Sequence, residues 1–270
     1  MTMFEAVFLG LVQGATEFLP VSSSGHLVLV PWMLGIDEPG LTYSAILHWG
    51  TVLAVLVYFR ADLVRIVVAG LKSIRTRSLD DPDARIGWWI VIGTIPAVVF
   101  GVFLKDGFER LFGNPRAVSL FLFFTAALLW TSERKAAQTR NAEDLPWFTA
   151  LLIGLMQALA ITPGISRSGA TIAAGLEAGL KREEATRYSF LLGVPAVLGA
   201  GLLSLIDLLA AGIAAAQWPV LLAGFAAAAM SGYIAIRWLL EYVRKHSLKV
   251  FSVYCVLLGV GALLVSVLRG

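Results

Sequence analysis

Glu17, Ser23, His26 and Arg167 are the residues of this chain best equipped for chemistry, and each stands in an apolar setting. Gln13 lies four residues before Glu17, so on a helix both side chains share a face. Ionisable groups in membrane-like surroundings are costly and tend to be functional. Glu17 is therefore a candidate general acid/base or a ligand for a metal ion. The plainer reading is a carboxylate that snorkels to water. Gln13 could orient a water or an ion, or simply make an interhelical hydrogen bond. Ser22-Ser23-Ser24 follow Pro20 and precede Gly25-His26. A hydroxyl near an imidazole, which titrates near neutral pH, suggests an activated nucleophile. Small-residue packing and an ordinary hydrogen-bonded histidine are the competing readings. The Arg167 guanidinium has a planar fork that fits phosphate bidentately. Around it, Ser166, Ser168, Gly169 and Thr171 open a helix, and N–H groups at a helix start with hydroxyls and Arg form an anion site. The rival here is a structural Arg167–Glu17 ion pair. His48 and His246 read as structural.

These residues belong to two stretches of similar sequence. Residues 6–26 align without a gap on 150–170, with seven of twenty-one positions identical: Ala6/Ala150, Gly10/Gly154, Leu11/Leu155, Gln13/Gln157, Ser22/Ser166, Ser24/Ser168 and Gly25/Gly169. Each stretch is an apolar segment broken by Pro and closed by a Ser/Gly cluster. Their chemistry differs, since Glu17 and His26 face Ile161 and Ala170 while Arg167 faces Ser23. One half offers an acid and a base, and the other a fixed cation.

The elements that must hold them are membrane helices. The chain of 270 residues is 58% hydrophobic and 14% charged, with a mean hydropathy of +0.81. A soluble domain carries about a quarter charged residues, so an all-α polytopic membrane protein is expected. The first thirty residues lack a basic n-region, with Glu5 where one would be, and do not read as a cleaved signal peptide. Cys255 is the single cysteine, which excludes an intrachain disulfide and a thiolate metal cluster. The net charge of +3 follows membrane topology, so nucleic acid is not an expected partner.

Six segments approach the roughly 20 residues that a membrane crossing needs: about 43–60, 86–104, 116–131, 186–209, 217–238 and 249–268. The pieces 4–19 and 25–35, like 147–161 and 168–180, are too short to span singly and read as re-entrant helix–loop–helix hairpins. Placing 61–85 in the cytoplasm puts sixteen Lys/Arg inside and four outside, with Arg167 intramembrane. Three spans then separate the hairpins, so the first enters from outside and the second from inside. The expected fold is a single domain, an inverted-topology repeat of six full spans plus two hairpins. Repeat one covers about 4–131, a cytoplasmic linker about 132–146, and repeat two about 147–268.

Gln-Gly-x-Thr-Glu-Phe-Leu-Pro-Val-Ser-Ser-Ser-Gly-His at 13–26 and Pro-Gly-x-Ser-Arg-Ser-Gly-Ala-Thr at 163–171 resemble the two signature motifs of the bacterial undecaprenyl-diphosphate phosphatases of the bacitracin-resistance type. The resemblance covers essentially the whole chain. It implies hydrolysis of undecaprenyl diphosphate to undecaprenyl phosphate, which returns the lipid carrier to peptidoglycan synthesis. It also implies dependence on a divalent cation, Mg²⁺ or Ca²⁺, and a site facing the outer side of the bacterial cytoplasmic membrane. Carried over by motif, the functional positions are Glu17, Ser22, Ser23, His26, Ser166, Arg167 and Thr171. One departure stands out: many members have a second Glu where this chain has Gln13, and Gln is a poorer ligand for a hard cation.

Together these readings assign catalysis to Glu17, Ser23, His26 and Arg167. Substrate binding falls to Gln13, Ser22, Ser24, Ser166, Ser168 and Thr171, and metal binding to Glu17. Ser23, deprotonated toward His26 or Glu17, is the preferred nucleophile, with His26 or an activated water left open. Ser24-Gly25-His26 also recurs in acid-phosphatase-type lipid phosphatases, but the nucleophilic His that family needs after Ser166-Arg167 is here Ala173. The partners expected are a polyprenyl diphosphate and membrane lipids, and the sequence leaves a homodimer open. The competing class is a polyprenyl-phosphate transporter or flippase using the same anion site, because inverted repeats with broken helices are the usual transporter plan.

Overall fold

A proline and a capping serine divide each short hairpin into two helices. The computed structural model describes residues 1–36, 41–103, 113–135, 137–211 and 217–269. Helix α1 (Met3–Phe18) starts at a capping box in which Thr2 and Glu5 satisfy each other's backbone N–H groups. It stops before Pro20, because a residue preceding proline is pushed out of the helical region. Helix α2 (Ser23–Leu34) begins at the N-cap Ser22, whose hydroxyl accepts from Gly25 N at 3.2 Å, and ends at the left-handed Gly35. The second hairpin repeats this plan. Helix α7 (Trp147–Leu159) is followed by α8 (Arg167–Glu177), whose N-cap Ser166 accepts from Gly169 N at 3.0 Å.

The other helices are α3 (Leu41–Tyr58), α4 (Arg60–Thr76), α5 (Pro82–Phe103), α6 (Pro115–Lys135), α9 (Arg182–Ala211), α10 (Trp218–Val243) and α11 (Lys249–Leu268). Among the described residues, Pro82–Phe103, Pro115–Arg134, Trp218–Val243 and Lys249–Leu268 are each long and apolar enough to cross a membrane. Among the described residues the regular elements are all helices, and the chain is a multi-pass membrane protein. Two features differ from the sequence reading. The basic stretch after residue 60 is not merely a connection but a 17-residue helix, α4. The expected short span at 116–131 extends to Lys135, into the expected linker. Residues 104–112, between α5 and α6, and 212–216, between α9 and α10, lie outside the described residues.

Packing places the hairpins crosswise. Helix α1 runs along α10 and α3, while α7 runs along α5; α6 pairs with α11, and α3 with α9. Two glycine contacts set how closely the arms approach. A Cβ on Gly10 would sit 2.4 Å from Gly224 O, and one on Gly154 would sit 2.3 Å from Gly93 O. No side chain fits at either place, which is how small residues let membrane helices touch backbone to backbone.

Polar contacts mark two ends of the molecule. At one end the start of α9 gathers ion pairs: Arg182–Glu133, Arg187–Asp62 and Arg244–Glu183. Lys181 Nζ donates to Asn141 Oδ1 there, beside the isolated bridge between Arg140 and Leu180. At the other end Arg116 donates to Ser266, and Arg269 donates to the carbonyls of Trp32 and Met33. Both outer ends of the first hairpin lie at this second end, since Tyr43 OH at the start of α3 donates to Ala6 O. Both outer ends of the second hairpin lie at the first end. The hairpins thus point toward each other, and their tips meet: Ser168 Oγ donates to Leu19 O at 3.2 Å.

Candidate active site

The meeting of the tips builds a buried polar cluster around Glu17. Its Oε1 accepts from Arg167 Nη2 at 2.9 Å, an ion pair across 150 residues of sequence. Its Oε2 accepts from Ser23 Oγ at 2.6 Å and from Gln13 Nε2 at 3.1 Å. Glu17 is 8% exposed and Gln13 fully buried, so the carboxylate charge depends on these donors rather than on water. The second half therefore supplies the cation that offsets the acid of the first. The hydroxyl of half-buried Ser23 points at the carboxylate, which makes Glu17 a base within proton-transfer reach.

Arg167 is aimed by its own helix and by α9. As the first residue of α8 it follows the Ser166 cap, and its Nη1 donates to Ser189 O at 3.2 Å. Gly193, one turn beyond Ser189, leaves room for the guanidinium: a Cβ there would stand 2.0 Å from Arg167 Nη1. Thr171 accompanies this arrangement, with its Oγ1 2.6 Å from Ser189 Oγ and donating to Arg167 O at 2.8 Å. Glu17 and Ser189 engage two of the five N–H groups that a guanidinium carries. A cavity of about 10 Å³, room for about one water, lies beside the ion pair, lined by Glu17, Thr51, Arg167, Phe190 and Gly193 among others.

His26 faces elsewhere. Its Nδ1 lies 2.8 Å from Ser22 O, an atom that can only accept, so Nδ1 carries the proton. Nε2 of the neutral imidazole is then the acceptor for Tyr254 OH at 2.6 Å, and the two ring planes are nearly parallel, at 2°. Ser23 is bonded to Glu17, and neither imidazole nitrogen is bonded to the Ser23 hydroxyl. Of the two proton acceptors that the sequence offered Ser23, Glu17 is the one its hydroxyl is bonded to. The geometric reason is that both ring nitrogens are engaged elsewhere, Nδ1 by the N-cap carbonyl Ser22 O and Nε2 by Tyr254 OH.

The remaining serines hold the backbone. Ser22 and Ser166 are N-caps, and each hydroxyl also lies near its second neighbour, Ser22 Oγ 3.3 Å from Ser24 Oγ and Ser166 Oγ 3.2 Å from Ser168 Oγ. The aligned positions thus make the same contacts in both hairpins. They differ in strain: Ser22 has φ +71°, and Ser166 has −71°. A non-glycine residue at positive φ costs about 1–3 kcal/mol and tends to occur at functional sites. Tyr254, Ser189 and Gly193 are the site residues that the sequence did not single out. Their only local signal is a hydroxyl or a glycine within an apolar run.

The donors fit a hard divalent cation in part. Glu17 contributes carboxylate oxygens, and Gln13 Oε1 is buried without a hydrogen-bond partner. Its aligned counterpart Gln157 Oε1 is likewise unpaired, so the orphan oxygen is a trait of both hairpins. Among the described residues no three His, Cys, Asp or Glu side chains gather into a metal cage. Mg²⁺ is commonly held by one or two carboxylates plus the phosphates of a substrate, which this set could do.

Comparison with known proteins adds an independent line. The family model described as Bacitracin resistance protein BacA matches residues 6–261. The chain is 43% identical to the undecaprenyl-diphosphatase of Methanosphaera stadtmanae, over 98% of each chain. It is 44% identical to the undecaprenyl-diphosphatase of Thermomicrobium roseum, again over 98% of each, and 42% identical to that of Desulforudis audaxviator over the full length of both.

Proposed function

The chain belongs to the bacitracin resistance protein BacA family, and we infer that it is an undecaprenyl-diphosphatase, which converts undecaprenyl diphosphate to undecaprenyl phosphate and inorganic phosphate. The product is the lipid carrier that cell-wall synthesis consumes. One observation carries the mechanism: Ser23 Oγ, Glu17 and Arg167 form a continuous bonded chain across the two hairpin tips.

Phosphoryl transfer needs positioning and charge neutralisation more than covalent help. In our reading the diphosphate approaches the start of α8, where Arg167 and the helix N-terminus favour negative charge. Ser23 Oγ attacks the terminal phosphorus while its proton passes to Glu17. The bridging P–O bond breaks, and undecaprenyl phosphate leaves with the proton from Glu17. The carboxylate then takes a proton from water as the water attacks the phosphoserine, and returns it to Ser23 Oγ. Protonation of Glu17 weakens its hold on Arg167, which frees the guanidinium fork for phosphate at the moment charge builds. Gln13 orients the carboxylate. His26, three residues along the nucleophile's own helix, is held by Ser22 O and Tyr254 as a polar group of fixed tautomer. A divalent cation, Mg²⁺ or Ca²⁺, would be held by Glu17 and Gln13 Oε1 with oxygens of the substrate, and would neutralise phosphate charge.

The architecture we propose is an inverted repeat of six spans and two re-entrant hairpins, related by a pseudo-two-fold axis in the membrane plane. Its support is the crosswise packing. Gly10 of α1 meets Gly224 of α10, as the aligned Gly154 of α7 meets Gly93 of α5. The Ser22 and Ser166 caps correspond in the same way. The ion-paired end that contains α4 and the start of α9 is placed in the cytoplasm because it holds most of the Lys and Arg residues. We assign the opening of the site to the outer side of the bacterial cytoplasmic membrane, as the family resemblance implies.

The test is release of phosphate from undecaprenyl diphosphate by purified protein, with and without EDTA. Rapid release that EDTA suppresses is the expected result. A protein that moves the lipid across vesicles but releases no phosphate would be a carrier instead.

A further inference from the structure

Helix α4 has three faces that differ in chemistry. Ile66, Ala69 and Ser73 are buried and turn toward α5. Val64, Val67, Val68, Leu71 and Ile74 are 56–64% exposed and form one apolar stripe. At about 100° per residue this stripe lies opposite the packed face. Arg65 and Lys72 occupy a flank roughly at right angles to both. Arg60 stands at the start of the stripe, and Arg75 and Arg77 at its end.

The contacts with α5 give the helix its direction. A Cβ on Gly87 would lie 3.2 Å from Ile66 Cγ2, while the neighbouring Trp88 donates its indole N–H to Ser73 Oγ at 3.0 Å. Seven residues separate Ile66 from Ser73, about 10 Å along a helix, yet both meet the same turn of α5. The two helices therefore cross rather than run side by side. Since α5 is long and apolar enough to cross a membrane, α4 is inclined to that crossing direction, and its unpartnered face looks away from α5.

We propose that α4 is an in-plane interfacial helix that binds anionic phospholipid. Its valine and leucine stripe sinks to the boundary between acyl chains and head groups, and its basic residues hold the phosphates. Charge selects the occupant. Asp62 is the helix's single acid against five basic residues in 60–77. Asp62 and Asp83 hold Arg65, and among the described residues no ion pair involves Lys72, Arg75 or Arg77. An amphipathic helix with an apolar stripe and a basic flank binds a membrane surface through buried area plus attraction to anionic lipid. Assignment to the cytoplasmic leaflet rests on the topology proposed above; the binding itself does not.

The experiment is spin labelling of the full chain in a Cys255→Ala background, with single cysteines at 64, 67, 68, 71 and 72. The protein is reconstituted into phosphatidylcholine vesicles with and without phosphatidylglycerol. Labels at 64, 67, 68 and 71 should be reached by oxygen and shielded from a water-soluble nickel chelate, and 72 the reverse. Phosphatidylglycerol should deepen the first group, and the Lys72→Gln/Arg75→Gln/Arg77→Gln variant should lose that increment. Chelate access at the four stripe positions would overturn the proposal. So would an unchanged depth with phosphatidylglycerol in the parent protein, or spin–spin coupling at 68 that shows a second copy covering the stripe. Phosphate release by each labelled protein reports separately on the enzymatic reading.

Discussion

At the scale of single residues, the site is a question of which donor meets which acceptor. Arg167→Lys keeps the charge but cannot bridge Glu17 and Ser189 O as a planar fork does. Phosphate release should fall by roughly 10²–10³-fold, the usual cost of losing one charge-stabilising donor set, while the protein still folds. Near-normal turnover would reduce Arg167 to a point charge. Gly193→Ala tests the same placement from outside the hairpins. Its Cβ would stand 2.0 Å from Arg167 Nη1, so the guanidinium must move. Helix propensity alone would favour Ala by up to about 1 kcal/mol. The expected outcome is a large loss of phosphate release with little loss of thermal stability; unchanged kinetics would mean that Arg167 has other room. Tyr254→Phe removes the hydroxyl that holds His26 Nε2 and keeps the ring. Turnover should fall with substrate binding preserved, and a binding loss without a turnover loss would give Tyr254 a substrate contact instead. Of these partners, only Glu17 for Arg167 was legible beforehand. The triple serine and Arg167 drew attention by type and spacing, but Ser189, Gly193 and Tyr254 sit on distant helices. Glu17 and His26 were both named as acceptors for Ser23, but the choice between them depends on groups that engage the imidazole, Ser22 O and Tyr254 OH, which the sequence does not announce.

At the scale of elements, what was local could be read and what was crossed could not. The two hairpins follow from signals within a few residues, Pro20 and Pro163 as breaks and Ser22 and Ser166 as caps, and the helices end within about three residues of the boundaries read from sequence. Helix α4 escaped because its charges dilute its hydropathy, although Ile66, Ala69 and Ser73 carry a helical period. The close approach of α1 to α10 and of α7 to α5 was hidden because a glycine does not name its partner. Gly10→Val and Gly154→Val should both destabilise, since overpacking commonly costs about 1–3 kcal/mol and the atoms met are backbone. Thermal unfolding in detergent measures this. A drop for Gly10→Val with none for Gly154→Val would argue against equivalent roles for the two arms.

At the scale of the whole molecule, the two hairpins share a backbone plan and divide the polar residues of the site. The first hairpin supplies Gln13, Glu17 and Ser23, and the second supplies Arg167 and the α8 N-terminus. The likeness of the two hairpins was visible in seven identical positions, and the asymmetry in Glu17 against Ile161. The direction of each hairpin came from charge counting, so it has its own test. A cysteine at position 78 in a Cys255→Ala background should resist an impermeant reagent added outside intact cells, and its labelling would invert the topology. The central claim is that bond cleavage belongs to the first tip and anion binding to the second. Its most direct measurement is phosphate release and undecaprenyl diphosphate binding in one preparation of folded Ser23→Ala protein. The account predicts no phosphate and near-normal binding; substantial phosphate release by Ser23→Ala would contradict it.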